Sequence, residues 1–315
     1  MLKSYPEASQ AQLATAWIDL FHPTAEEIEQ ATVISKMRIP TRAELEEIET
    51  SSRLRVENGT FYLSMPVSAH PEQNESAPTP VGFVLSTNIL VTVRYTELHG
   101  FEDAKKQLAK GDCAPTSIGI FITLLEGMVD FAADMLEQIG AELNAISRRV
   151  FKGFGSLRKP NNVRSNRALR QTLVDVGERG ERLWQVRESL LGLQRMTSIV
   201  AEKGHDWIGD VVHARLKTAT SDLTSLTDFE VNLTDKVQFL LDAVLGFIST
   251  EQNDIFKVLT IVSVVGIPPT LVAGMYGMNF QIPEYHWHYG YAWGLFVIFL
   301  STMLPIAWFK WRGWW

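Results

Sequence analysis

Two long stretches without a single charge do most to limit what this chain can fold into. From Val258 to Pro283, and again from Tyr285 to Phe309, there is no Asp, Glu, Lys or Arg, and only Glu284 stands between them. Each stretch exceeds the roughly 20 apolar residues that a helix needs to cross a bilayer. Up to Lys257 the 315-residue chain is rich in charge and reads as soluble. The opening MLKSYPEASQ lacks the apolar core of a signal peptide, so the N-terminal part is expected to stay in the cytosol. Two crossings then return the C-terminus to the same side. Lys257 precedes the first stretch, Lys310 and Arg312 follow the second, and no Lys or Arg lies between, which agrees with basic residues marking the inner face. The loop 276–290 is therefore expected outside and both termini in the cytosol.

The whole chain carries −7; beyond Lys257 stand only Glu284, Lys310 and Arg312, a net +1, which leaves −8 for residues 1–257. That acidity argues against nucleic acid as a partner and suits attraction of cations. A lone cysteine, Cys113, excludes an internal disulfide. No phosphate-binding Gly loop, dinucleotide fingerprint, paired CxxC or zincin motif is present. Ser, His and Asp are scattered without a nucleophile context, so the chain is not expected to be an enzyme.

Strand and helix signals alternate in the first part. AWIDLFHP (16–23) reads as a strand, after which Thr24 caps an acidic helix. Pro40-Thr41 opens a second helix, RAELEEIETS, and GTFYLSMPV (59–67) is strand-like. Residues 70–80 read as a loop, and FVLSTNILVTVRY (83–95) as a hairpin turning at Ser86-Thr87-Asn88. GFEDAKKQLAKGD (100–112) is a short helix closed by Gly111. A mixed α/β layer domain is expected over 1–116. Helix signals then dominate: one helix from Ser117 to about Val150, a linker, a second over about 166–203, and a third from near Asp206 with no breaker before Pro268. The third carries Leu226, Leu233, Val237, Leu240, Val244 and Ile248 at coiled-coil-like spacing. At about 1.5 Å per residue it would reach about 100 Å with its membrane span, and self-association is the expected way to bury the seam.

Asp228, Asp235 and Asp242 recur every seven residues on this helix, so their carboxylates share one face, drifting roughly 20° per heptad. The pattern fits a solvated outer face, and it also fits an acidic track that gathers cations ahead of a pore. Within the first membrane stretch Asn253, Phe256, Leu259 or Thr260, Ser263, Ile267, Thr270 and Gly274 recur every three to four positions. Such a stripe suits a pore lining in which bulky rings gate by dewetting; it equally suits ordinary helix packing, where Ser, Thr and Gly are favoured. Pro268-Pro269 frees backbone carbonyls in mid-membrane, which is tolerated where neighbours or water satisfy them.

At the outer end stands Tyr276-Gly277-Met278-Asn279. The run KVLTIVSVVGIPPTLVAGMYGMNF (257–280) resembles the first membrane helix and signature of the CorA magnesium transporters, whose hallmark is the Gly-Met-Asn triplet. The likeness extends to Pro283-Glu284 in the outer loop, the second span, the basic tail and Leu240-Leu241-Asp242 on the long helix. It implies a funnel-shaped homopentamer: antiparallel cytosolic helices over 117–204, a stalk over 205–253, a pore-lining membrane helix over 254–275, an outer loop over 276–290, a second membrane helix over 291–310 and a tail over 311–315. It further implies influx of Mg²⁺, and of Co²⁺ or Ni²⁺, through the prokaryotic inner membrane, with cytosolic Mg²⁺ as regulator. Gly277, Met278 and Asn279 would form the selectivity element, Asn279 acting on the ion through its hydration shell. The pore lining implied is Asn253, Phe256, Leu259, Ser263, Ile267, Thr270 and Gly274, with Asp242 at the cytosolic mouth and Glu284 attracting cations outside.

The sequence departs from the family in places. Phe256 and Ile267 fall where the best-known members carry methionines. The outer loop Phe280 to Tyr285 is one residue shorter than the common version, with Gln281 in place of a frequent acid. Thr218 occupies the position of an aspartate in a well-known member's magnesium sensor, with Asp222 one turn away. His286 and His288 flank Trp287, where an interfacial aromatic belt with Tyr285 and Tyr289 competes with a transition-metal pair. The tail, with four tryptophans from Trp308 to Trp315, reads as an interfacial anchor. Residues 148–170 hold eight Lys or Arg and no acid, a solvated linker or a surface for anionic lipid. A ZntB-type zinc transporter and a non-conducting membrane scaffold are the alternatives.

Overall fold

The computed structural model describes residues 1–5, 16–47, 49, 53–67, 78–155, 162–205, 207–279 and 283–314. Its contacts divide the chain into two units, Met1–Ser156 with Thr172–Leu241, and Leu157–Gln171 with Asp242–Trp315. Asp206, Phe280, Gln281, Ile282 and Trp315 lie outside the described residues, as do most of the expected loop 70–80 and the middle of the basic linker.

The first unit holds the expected α/β layer. Apolar runs form β2 (Trp17–Phe21), β4 (Thr60–Val67), β5 (Thr79–Leu85) and β6 (Leu90–Arg94), joined by β1 (Leu2–Tyr5) and β3 (Leu54–Glu57), which the sequence did not reveal. The order is β1-β2-β6-β5-β4-β3; β2 and β6 are parallel and the remaining pairs antiparallel. The expected hairpin closes with Leu85 opposite Leu90. One face of the sheet packs Ile18, Leu20, Val84, Val91 and Val93 with residues of α1 (Ala25–Ser35) and α2 (Arg42–Leu45). Both helices start in capping boxes, Thr24 with Glu27 and Thr41 with Glu44, each pair satisfying two otherwise orphaned amides. The second helix ends at Leu45, far short of the ten residues expected from RAELEEIETS.

On the other face, Trp17 and Phe83 meet Phe101 of α3 (His99–Lys110) and Phe121 of α4 (Ser117–Gly155), with ring centroids 6.1 Å apart for Trp17–Phe101 and 5.7 Å for Phe83–Phe121. Gly111 ends α3 at φ 82°, as its position suggested. Beneath α3 lies a buried ion group. The Asp19 carboxylate, 1% exposed, accepts from Arg94 Nε and Nη2 at 3.0 and 2.9 Å and from Thr92 Oγ1 at 3.0 Å, and Lys105 Nζ lies 3.2 Å away.

The helical layer comprises α4, α5 (Asn162–Lys203) and α6 (Asp210–Tyr276). The fourth helix runs past Val150 and α5 starts before residue 166, so the linker between them is shorter than expected; α6 begins four residues after Asp206. Within the first unit α6 runs alongside α4 in the same direction, pairing Arg215 with Glu126 and Leu233 with Gly140. It runs opposite to α5, pairing Glu230 with Arg187 and Val237 with Gly180. These contacts correct one expectation. Leu233, Leu240 and Val244 are already buried inside a single chain, and Leu226, Val237 and Ile248 are half-buried. The chain's own helices cover much of the seam, so its pattern does not by itself demand self-association.

In the second unit α6 passes through Pro268-Pro269 without a break and ends at Tyr276. A 3₁₀ turn, Pro283–His286, leads to α7 (Gly290–Trp311). The most apolar window of α6 has none of its residues buried, and that of α7 has 11%. An apolar helix in a soluble core would be covered by its neighbours; these two match the spans expected from the sequence.

Candidate ion pathway

The stripe on α6 presents itself as a surface. Asn253, Phe256, Leu259, Thr260, Ile267, Thr270 and Gly274 are exposed, and Ser263 is half-buried. Its bulky members are bare, with Phe256 at 65% and Ile267 at 64%. Thr260 Oγ1 donates to the Phe256 carbonyl and Thr270 Oγ1 to the Gly266 carbonyl, both at 2.8 Å. A hydroxyl whose proton is committed to its own helix shows only lone pairs outward, which is the polarity a cation or its water prefers. Pro268 and Pro269 lack the N–H groups that would bond the carbonyls of Val264 and Val265, adding further acceptors at mid-helix.

Beyond Tyr276 the chain leaves the helix gradually. Gly277 N–H still donates to the Ala273 carbonyl at 3.0 Å and Met278 N–H to that of Met275 at 3.3 Å. Gly277 needs no left-handed backbone: among the described residues the glycines at positive φ are Gly59, Gly111 and Gly313. Its small size serves close packing instead, since a Cβ there would lie 3.2 Å from the Ala273 carbonyl oxygen. Met278 is 52% exposed, and Asn279 is exposed at the tip.

The corner between α6 and α7 is held together by glycines. The Tyr276 ring lies 3.8 Å from the place a Cβ would occupy on Gly294. A Cβ on Gly290 would fall 2.2 Å from the Glu284 carbonyl oxygen, an oxygen that also accepts from Trp287 N–H at 3.1 Å. A cleft of about 590 Å³ opens here, lined by Tyr276, Gly277, Glu284, Trp287, His288 and Tyr291 among others. Glu284 is half-buried, with Oε2 enclosed and without a hydrogen-bond partner among the described residues. A carboxylate oxygen enclosed in this way is costly unless a cation or donor comes to it. Sequence reasoning placed Glu284 in the loop but missed its burial. The signal was available in Gly290-x-x-x-Gly294, a spacing of small residues that marks close helix approach.

The acids behave differently. Asp228, Asp235 and Asp242 are all exposed, as either reading of their spacing requires. Asp242 and Tyr276 are separated by about 50 Å of helix at 1.5 Å per residue. Thr218 is exposed and donates to the Ala214 carbonyl at 3.2 Å. Asp130 of α4 lies within the field of Asp222 as well as of its own helix's Glu126 and Asp134, a grouping the sequence did not reveal. Burial, followed by the charges of Asp134, Glu126 and Asp222, pushes the Asp130 carboxyl above the usual range. Arg215 answers Glu126 with two hydrogen bonds, at 2.9 and 2.5 Å. Among the described residues no three His, Cys, Asp or Glu side chains converge to hold a metal ion.

The family described as CorA-like Mg²⁺ transporter protein matches residues 13–311. The magnesium transport protein CorA of Sodalis glossinidius (strain morsitans) is 32% identical over 244 residues, which span 77% of this chain and 73% of that protein. Its namesake from Escherichia coli (strain K12) is 31% identical over the same shares. The solved structure of the CorA magnesium transporter from Methanocaldococcus jannaschii superposes with a TM-score of 0.74 over 95% of this chain and 90% of that one. At 17% identity that likeness speaks for the fold. With its two uncovered apolar helices and Gly-Met-Asn triplet, the chain belongs to the CorA-like family, whose members are transporters and not enzymes.

Proposed function

We propose that this protein conducts Mg²⁺ passively into the cell as a homopentamer in the inner membrane, with both termini cytosolic. The supporting observation is Tyr276-Gly277-Met278-Asn279 at the end of an apolar helix that the rest of the chain leaves uncovered. Five copies of α6 ring a water path, and their Asn279 side chains accept hydrogen bonds from the water shell of the ion. Mg²⁺ gives up its water reluctantly, so a ring that recognises the hydrated ion avoids the cost of stripping it. Being neutral, the ring also releases the ion. Phe256, Leu259 and Ile267 supply constrictions that close by dewetting, while Asn253, Ser263, Thr270 and Gly274 supply wetted steps between them. Asp228, Asp235 and Asp242 gather cations on the cytosolic side, Glu284 does so outside, and rising cytosolic Mg²⁺ closes the path. An inside-negative potential contributes about 2.3 kcal/mol per charge per 100 mV, hence about 4.6 for a divalent ion, so no ATP is required.

Relatives named for magnesium transport at 31–32% identity support Mg²⁺ over Zn²⁺ as cargo. The test is uptake into proteoliposomes under an imposed potential, read by an entrapped Mg²⁺ dye, with Zn²⁺, Co²⁺ and Ni²⁺ as competitors. Asn279→Ala should abolish or reshape uptake while leaving assembly intact. Wild-type uptake in the Asn279→Ala chain would remove Asn279 from the path, and no uptake by wild type at any potential would favour the membrane scaffold instead.

A further inference from the structure

The corner between α5 and α6 holds a feature that transport does not use. His205 Nδ1 and His213 Nε2 stand 3.1 Å apart, with ring centroids 5.1 Å apart and planes at 66°. His205 is exposed and His213 half-buried. Backbone hydrogen bonds flank both. Gly204 N–H closes onto the Val200 carbonyl at 2.9 Å, and the N–H groups of Trp207 and Ile208 return to the Gly204 carbonyl at 3.1 Å each. The Ile208 side chain is buried against Gly204, leaving no room there for a Cβ. The Trp207 ring rests 6.1 Å from that of the buried Phe61 on β4. His213 N–H donates to the Gly209 carbonyl at 3.0 Å in the first turn of α6.

We propose that His205 and His213 form a two-histidine site for a borderline transition-metal ion such as Zn²⁺. The distance is the argument. Zinc–imidazole bonds are about 2.0–2.1 Å, and two of them at 90–110° place their nitrogens about 2.9–3.4 Å apart. The 3.1 Å separation already present lies inside that bite, so the ion takes the place of the hydrogen bond between the rings, the donor ring's proton passing through solvent to that ring's other nitrogen, without moving the backbone. Imidazole nitrogen suits Zn²⁺, Ni²⁺, Co²⁺ and Cu²⁺, whereas Mg²⁺ requires oxygen. The site is therefore blind to the magnesium on which the transport reading rests. Along the chain the nearest acids are Asp206, directly after His205, and Asp210, three residues before His213 in the first turn of α6, and water completes the coordination sphere.

The test uses the full chain in detergent with millimolar Mg²⁺ present, titrated with Zn²⁺ against a chromophoric chelator. Cu²⁺ then replaces Zn²⁺ for electron paramagnetic resonance, where nitrogen ligands split the signal. Wild type should bind one Zn²⁺ per chain that Mg²⁺ does not displace, and the Cu²⁺ form should show two nitrogens. His205→Ala and His213→Ala should each weaken binding by roughly tenfold or more, with melting temperature without metal unchanged. His286→Ala combined with His288→Ala, which removes the outer-loop pair, should leave binding intact. Zn²⁺ binding that survives loss of both His205 and His213, or that vanishes with the outer-loop pair, overturns the proposal. So does a wild type that binds no Zn²⁺ under these conditions.

Discussion

Replacing Gly290 by alanine tests whether the outer corner is as tightly built as its geometry indicates. The new Cβ would sit 2.2 Å from the Glu284 carbonyl oxygen and 3.2 Å from its carbon, whereas ordinary contacts begin near 3.4 Å. The carbonyl must retreat by about 1 Å, and it is backbone, so no rotamer change can absorb the shift. Overpacking of this kind costs about 1–3 kcal/mol, or about 2–4 °C of melting temperature per kcal/mol in a domain of 150–250 residues. The same retreat disturbs the Trp287 N–H bond to that carbonyl and the enclosed Glu284 side chain. Two neighbouring glycines make the series internally controlled. On Gly277 the Cβ would meet the Ala273 carbonyl oxygen at 3.2 Å, and on Gly294 the Tyr276 ring at 3.8 Å. Loss of melting temperature in detergent should therefore rank Gly290→Ala first, Gly277→Ala second and Gly294→Ala last, the last falling near zero. Uptake in proteoliposomes should fall most for Gly290→Ala and Gly277→Ala. A Gly290→Ala chain with wild-type melting and uptake, or a Gly294→Ala chain worse than both, would refute the reasoning.

Three further outcomes are expected. Asp19→Ala should destabilise the α/β layer by about 3–5 kcal/mol because it strands Arg94 beside Lys105. Arg94→Met should cost less because Lys105 still answers Asp19; hydrogen exchange of the β2 and β6 amides reads both, and equal losses would contradict this account. Asp130→Asn should stabilise the protein at neutral pH, by less than about 1 kcal/mol for so exposed a group. The folded protein holds that proton more tightly than the unfolded chain does, so the charged form is a burden once pH exceeds the raised value. The gain must disappear on acidification below the ordinary carboxyl range, as melting against pH would reveal. Changing Asp228, Asp235 and Asp242 together to Asn should lower Mg²⁺ conduction at low ionic strength, with the deficit shrinking as the Debye length falls to about 10 Å at 0.1 M salt and less above it. A deficit indifferent to salt would point to a structural role for these acids.

Local chemistry was legible in the sequence wherever it decides structure without help. Thr24 and Thr41 each stand three residues before the Glu that completes their capping box. Ser86-Thr87-Asn88 turns a hairpin, Gly111 accepts a left-handed φ, and uncharged runs of membrane length remain uncovered. What escaped depends on partners distant in sequence. β1 and β3 are four-residue edge strands with half-buried faces, and such segments become strands only when a neighbour offers its backbone. The periodic seam was read correctly as buried, but periodicity does not name the occupant. Gly140 and Gly180 leave room for Leu233 and Val237 to pack within one chain. Glu284 was identified as an acid of the loop; its enclosure follows from the close approach of Gly290 to its carbonyl, which the spacing of Gly290 and Gly294 signals but which was not drawn from it.

The occupancy of the seam changes where any assembly of copies must be held. With Leu233, Leu240 and Val244 consumed inside the chain, the apolar surface left on α6 belongs to other faces and to its outer half, where Ile255, Phe256, Val258, Leu259, Val262 and Ile267 range from 48% to 65% exposed. Lipid covers such residues as well as protein does, so apolarity alone cannot fix which of them turn toward an axis. Polarity can. On this half of the helix Thr260 and Thr270 have both committed their protons to carbonyls one turn back, and Pro268 and Pro269 have released two more acceptors. Oxygen lone pairs facing hydrocarbon gain nothing, whereas lone pairs facing water and a cation are satisfied at once. The face that carries Asn253, Ser263 and Thr270 is thus the one that lipid would serve worst and a wet axis best. Valine at Thr270, which keeps the shape and deletes the oxygen, should accordingly leave assembly unchanged and reduce conduction. If Thr270→Val conducts like wild type, this face does not line the path.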